Sequence, residues 1–326
     1  MTSNPEIQKL RDIFLSLRTK GDDPVRPITA SAYAQKINRL CIIVTGAPYN
    51  GSVEWMLEPK FVCELLKKSN LKSKKDYLTC VVRLLRHLGK PQDLIEIYQK
   101  QMRSFKDEED VIRKQNIATK SEQDNHLPLD EIQAKIKAYI PKDRAEMMSL
   151  TICAFYFSGG EDSLVPRNNL MDFKLVSSAK KKVNSDFNYL VMDGKTPKSV
   201  IMNRYKSQTK YGKQCFKLSD EQIDILTHYT SLFSKKPGDF LFTIERDIPF
   251  TSQQMLDLVK KSTEIVLGKP MGIDLIRKIN ATDYFAKSGL HTIEQDDNQA
   301  RRFLHSSTQN REYVKPSFIK DSLEDE

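Results

Sequence analysis

Residues 300–315 read Ala-Arg-Arg-Phe-Leu-His-Ser-Ser-Thr-Gln-Asn-Arg-Glu-Tyr-Val-Lys, and the reading of the whole chain turns on them. They place His305 directly after an apolar pair and Tyr313 eight positions further on. A histidine at a helix start and a tyrosine packed near a terminus are each ordinary when taken singly. What gives the pair weight is the order of cationic residues upstream of it.

Gly272-Ile-Asp-Leu-Ile-Arg-Lys-Ile-Asn-Ala-Thr282 carries Arg277 on a predicted helix. Further back, the stretch from Phe157 to Leu175 joins a buried helix to an extended run and sets Arg167 on the turn, between Pro166 and Asn168. Between these two arginines lies Asn203-Arg-Tyr-Lys-Ser-Gln-Thr-Lys-Tyr-Gly-Lys-Gln-Cys-Phe-Lys-Leu218, and residues 178–217 hold ten Lys and Arg against two acids. Phosphodiester exchange without a metal needs a nucleophile, cationic clamps on the non-bridging oxygens, a proton donor for the leaving oxygen, and close positioning. The second half of the chain offers a candidate for each.

In these four segments the chain resembles the tyrosine recombinases, in particular the integrases of large DNA viruses, virophages and related mobile elements. The resemblance spans roughly residues 128–316 and implies that Arg167 and Arg277 are the paired catalytic arginines. It further implies that Lys206 protonates the leaving 5′ oxygen, that His305 contacts the scissile phosphate, and that Tyr313 is the nucleophile. Lys210 and Lys213 remain open as alternative acids, and with Arg204 they are expected to grip the DNA backbone. Two departures stand out. Asp274 occupies the place where the family commonly has His or Lys, so it is either a variant base or a residue that orients Arg277. Leu304 directly precedes His305, where the family has a glycine.

The chemistry fits the residue types. Two guanidiniums can hold one phosphate bidentately and offset charge in a pentavalent transition state, a task a lysine's point charge fills less well. A phenol beside two arginines loses its proton more readily and can then attack phosphorus. The product, a 3′-phosphotyrosine, retains the bond energy, so rejoining needs neither ATP nor a metal. The alternatives are type IB topoisomerase-like relaxation of DNA and a catalytically silent DNA-binding protein.

Composition agrees with a polyanion partner. The 326 residues carry a formal net charge of +9, and residues 1–115 alone hold 21 Lys and Arg against 14 Asp and Glu. Such an excess attracts nucleic acid through counterion release. Double-stranded DNA is the expected partner, and the resemblance implies a homo-tetramer on it. Five cysteines without CxxC spacing and five scattered histidines predict no metal site, and no cofactor is expected. No apolar run approaches the ~18–20 residues of a membrane span and no leader pattern is seen, so a soluble intracellular protein is expected, its host compartment unreadable.

The fold expected is mainly α with a small antiparallel β-sheet. Its parts are an N-terminal arm (1–27), a helical core-binding domain (28–115), a polar linker (116–127), a catalytic domain (128–316) and an acidic tail (317–326). Tyr77, Leu78, Val81, Leu84, Leu85 and Leu88 recur at helical spacing, with Ser73 as N-cap and Gly89-Lys90-Pro91 as the stop. Further helices fall near 31–45, 59–69, 93–115 and 142–157. Extended runs fall near 172–177, 187–193, 198–206 and 214–218. Asp193-Gly194 predicts a hairpin turn, and Ser219 with Gln222 a capping box.

Overall fold

The computed structural model describes residues 4–18, 24–160, 163–167, 169–177, 184–245, 247–287 and 291–319. Asn168 and residues 320–326 of the tail lie outside this set. The chain divides into two compact units, Met1–Gln115 and Asn116–Glu326. No helix among the described residues is long and apolar enough to cross a membrane.

The first unit is a helical bundle of α1 (Pro5–Ser16), α2 (Pro27–Thr45), α3 (Pro59–Leu65), α4 (Leu71–His87) and α5 (Gln92–Lys114). The stripe read on α4 buries Leu78, Val81, Leu84 and Leu85, while Leu88 lies at the end and is exposed. Each such leucine contributes roughly 1.5–3 kcal/mol by leaving water. Its N-cap is Asn70 rather than Ser73: the Asn70 side chain accepts from the Ser73 amide at 2.8 Å, so Ser73 is the residue capped. Gly89 takes φ +62° after the last turn, as its place in the stop signal requires. The segment read as an arm contains α1, whose Leu10 and Phe14, one turn apart, enter the core of this unit.

The second unit begins inside the stretch read as a linker. There Thr119 and Glu122 form a capping box that opens α6 (Lys120–Asn125). Glu122 also pairs with Lys278, which gives this polar segment its hold on the rest of the unit. After α7 (Leu129–Ala138) comes α8 (Arg144–Phe157), buried over most of its length and packed against α7. The sheet follows as β1 (Phe173–Val176), β2 (Asn188–Asp193), β3 (Thr196–Met202) and, beyond the one-turn α9 (Gln208–Tyr211), β4 (Gln214–Lys217). Helices α10 (Asp220–Leu232) and α11 (Ser252–Leu267) pack on α8. The chain then forms α12 (Ile273–Lys287), α13 (Ile293–Arg302) and α14 (Ser307–Arg311).

The strand order is β1-β2-β3-β4, and the sheet is mixed rather than wholly antiparallel. β2 and β3 form the expected hairpin, with Asp193 opposite Thr196 and Gly194 at φ +60°. β1 and β2 run parallel, Phe173 facing Asn188. The alternation within each strand does not set its partner's direction, and residues 177–187 carry no hairpin dipeptide that would call for an antiparallel turn. The run expected over 198–206 ends as a strand at Met202, because Asn188 Oδ1 accepts from the amides of both Asn203 and Arg204 and turns the chain there. The Ser219–Gln222 capping box is present.

Candidate active site

The stretch 300–315 forms a helix end, a turn and a second, short helix. Phe303 caps α13, Leu304 adopts φ +55°, and the amides of Leu304 and His305 donate to the carbonyls of Arg301 and Ala300 at 2.9 and 3.2 Å. This is a Schellman stop with leucine in the left-handed position that glycine usually takes. It turns His305 inward, to 8% exposure. Ser306 then caps α14, and Tyr313 follows two residues after that helix, its amide donating to Asn310 O at 3.0 Å.

Arg277 comes to the same place from α12 and is 2% exposed. Its Nη2 donates to Phe303 O at 2.8 Å and its Nη1 to Val165 O at 3.3 Å, so the guanidinium ties the turn after α8 to the end of α13. Nη2 also lies 3.3 Å from His305 Nδ1. The cation faces the rings of Phe303 and Tyr313, with Cζ 4.9 and 5.4 Å from their centroids. Asn280, one turn further along α12, donates to Tyr156 O and fastens this helix to α8. The hydroxyl of Tyr156 in turn donates to Arg167 O at 2.8 Å, fixing the turn that bears Arg167.

A cleft of about 250 Å³ is lined by Arg167, Lys206, Lys210, Arg277, His305 and Tyr313, among others. Five of the six residues read as catalytic therefore meet at one cleft. Lys206 is exposed on its wall, and the neighbouring Ser207 donates to Leu304 O at 2.5 Å, which joins the β3–β4 connection to the histidine turn. Asp274 is not among the lining residues. It stands exposed in the first turn of α12, facing solvent. As a base within the cleft it is misplaced, and its charge reaches Arg277 only as a field. Lys213 and Arg204 also lie outside the lining. The guanidinium of Arg204 is 3.9 Å from Asp172, and its main-chain carbonyl accepts from Asn169 and Asn188.

The site is electropositive and partly dry. Burial pushes the His305 imidazole down to about 3, with the guanidiniums of Arg277 and Arg167 acting in the same direction and the Asn310 hydrogen bond opposing them. His305 is therefore neutral at pH 7. Burial also lowers Arg277, offset in part by Tyr313. Sequence reasoning missed Asn310, Ser207 and Phe303. Asn310 lay in plain sight five residues after His305, but nothing in an asparagine's neighbours says that it faces inward.

No protein-family model matches the chain, and no curated protein does. Among solved structures the chain is similar to the crystal structure of XerA recombinase, with a TM-score of 0.39 and 14% identity, over 97% of this chain and 96% of that one.

Proposed function

We propose that this protein cuts and rejoins DNA strands by transesterification through Tyr313, as tyrosine recombinases do. The observation that carries the reading is the convergence of Arg167, Lys206, Arg277, His305 and Tyr313 on one cleft, although up to 146 positions separate them in the chain. In the forward step the Tyr313 oxygen bonds to phosphorus and the bond from phosphorus to the 5′ oxygen breaks. The phenolic proton passes to solvent, and Lys206 gives a proton to the departing oxygen. Arg277, buried and held in advance by two carbonyls, and Arg167, exposed at the cleft, offset the charge that builds on the non-bridging oxygens. The reverse step regenerates the phenol and joins a new 5′ end. Lys210 and the exposed Lys213 and Arg204 add affinity for the backbone rather than chemistry.

The finer reading is a site-specific recombinase acting on double-stranded DNA, assembled as a tetramer. The decisive experiment uses a nicked suicide duplex, whose cut end diffuses away and leaves the protein covalently trapped. Trapping by the unaltered chain, its abolition in Tyr313→Phe and DNA affinity kept by that variant are the expected results. Trapping that survives Tyr313→Phe assigns the nucleophile elsewhere and overturns the reading. Recombination between two sites, measured beside relaxation of supercoiled DNA, separates strand exchange from topoisomerase action.

A further inference from the structure

Asn310 is fully buried beside the cleft, at 0% exposure, and bonds to the ring of His305 and to the main chain of Tyr313. Its Oδ1 lies 3.2 Å from His305 Nε2, and its main-chain carbonyl accepts from the Tyr313 amide. On the other side of the imidazole, Arg277 Nη2 lies 3.3 Å from Nδ1. A guanidinium has only donors, so Nδ1 must offer its lone pair and a neutral ring must carry its hydrogen on Nε2. Asn310 must then turn its oxygen, not its amino group, toward the ring. That orientation leaves Nδ2 buried without a partner, which is what the structure contains. An unpaired buried amide hydrogen is costly and persists when the oxygen beside it has a stronger claim.

We infer that Asn310 is a positioning residue that, with Arg277 at the other ring nitrogen, fixes the His305 proton on Nε2 and, through its own carbonyl, holds that ring in register with Tyr313. The inference rests on the reading of Tyr313 as nucleophile for its catalytic consequence, but not for its geometry. With the acceptor gone, only the Arg277 contact still disfavours the tautomer with its hydrogen on Nδ1, and that tautomer becomes populated at the expense of this contact. The titratable groups around the ring are Arg277 from α12, Arg167 from the turn after α8, Lys206 and Lys210 from the β3–β4 connection, and Tyr313. None of these is a carboxylate, and among the described residues Asn310 Oδ1 is the acceptor within hydrogen-bond reach of Nε2.

The test is made on the full chain labelled with ¹⁵N-histidine, with His305→Gln used to assign the His305 ring signals among the five histidines. Ring nitrogen shifts at neutral pH are expected to show Nε2 protonated and Nδ1 bare. Asn310→Leu is expected to lose that pattern. It should also slow trapping on the suicide duplex by about tenfold, the kinetic equivalent of one hydrogen bond, with DNA affinity unchanged. Asn310→Asp keeps the oxygen, so it should keep the nitrogen pattern, recover most of the trapping rate and titrate His305 at higher pH. This variant also carries the test if the leucine variant does not fold. A wild-type ring protonated on Nδ1, a pattern in Asn310→Leu that matches wild type, or an unmoved titration in Asn310→Asp overturns the inference. If nothing is trapped while the nitrogen pattern still follows residue 310, the positioning stands and the strand-cutting reading alone falls.

Discussion

Tyr313 turns its ring toward the guanidinium of Arg277, whose Cζ lies 5.4 Å from the ring centroid, and Arg277 is itself almost wholly buried. A buried cation is kept in place by what it bonds to, here the carbonyls of Phe303 and Val165. The residue that would offset phosphate charge is thus also the pin between the turn after α8 and the end of α13.

Substitution at Arg277 should therefore separate the two roles. Arg277→Ala strands two carbonyls, at roughly 1–3 kcal/mol each, and thermal melting should fall accordingly. Arg277→Lys restores a cation but reaches only one carbonyl at a time, because the ammonium lacks the planar fork. It is expected to melt between the alanine variant and wild type, yet to trap DNA little better than the alanine variant. Equal trapping by the lysine variant and wild type would show that charge alone suffices.

Leu304 supplies a sharper stability test, because it spends its burial on a left-handed backbone. At most sites in a helix alanine is better than glycine. Here both truncations lose the same buried side chain, at about 2–5 kcal/mol, but only glycine relieves the φ of +55°, worth about 1–2 kcal/mol. Leu304→Gly is expected to be the more stable of the two in denaturant titrations, and both less stable than wild type. Alanine ranking above glycine would mean that the turn relaxes when the side chain goes.

His305 predicts a pH dependence with a definite sign. Burial and the two arginines hold its folded pKa near 3, below the 6.5 of a free histidine. Between these values the unfolded chain binds a proton that the folded chain refuses, so stability falls as pH drops through that window and is complete above it. The slope approaches about 1.4 kcal/mol per pH unit for one such group. His305→Gln should remove this part, so the wild-type and variant stability curves should converge as pH falls from 7 to 5. Parallel curves would place the imidazole in contact with water.

Legibility in the sequence followed how local the cause was. The Asp193-Gly194 hairpin and the Ser219–Gln222 box were readable because neighbours dictate them. The α4 stripe was readable because its period repeats over about three turns. The parallel pairing of β1 with β2 was not, since the residue pattern of a strand is the same whichever way its neighbour runs. Asp274 was placed by motif at a catalytic position, and its exposure follows from burial, which no motif encodes. The approach of Arg167, Lys206, Arg277, His305 and Tyr313 to one cleft was legible only as an order along the chain. What holds them there, the Schellman turn at Leu304 and the bonds from Ser207 and Asn310, depends on contacts and on a left-handed φ that no motif encodes, even though Leu304 stood out in the sequence as a departure.

Among the described residues, 314–319 are tied to the rest of the unit by contacts of two different kinds, and these should respond differently to removal. The Lys315 amide donates to Thr282 Oγ1 on α12 at 2.9 Å, in a buried setting, and Phe318 stacks on His126 with ring centroids 3.9 Å apart. Thr282→Val keeps the shape of the side chain but leaves a buried N–H without an acceptor, at roughly 1–3 kcal/mol. Phe318→Ala removes an aromatic pair, worth about 0.5–1.5 kcal/mol beyond its area. Burial, with Lys269 adding to it, holds the His126 pKa below its ordinary value, against the pull of Glu131. Only Phe318→Ala uncovers that ring, so only this variant should raise the His126 titration observed by NMR, while both variants should lower the melting temperature. A His126 titration that stays put in Phe318→Ala would mean that the ring owes its burial to other neighbours and that the stack adds little to the hold on the chain beyond Tyr313.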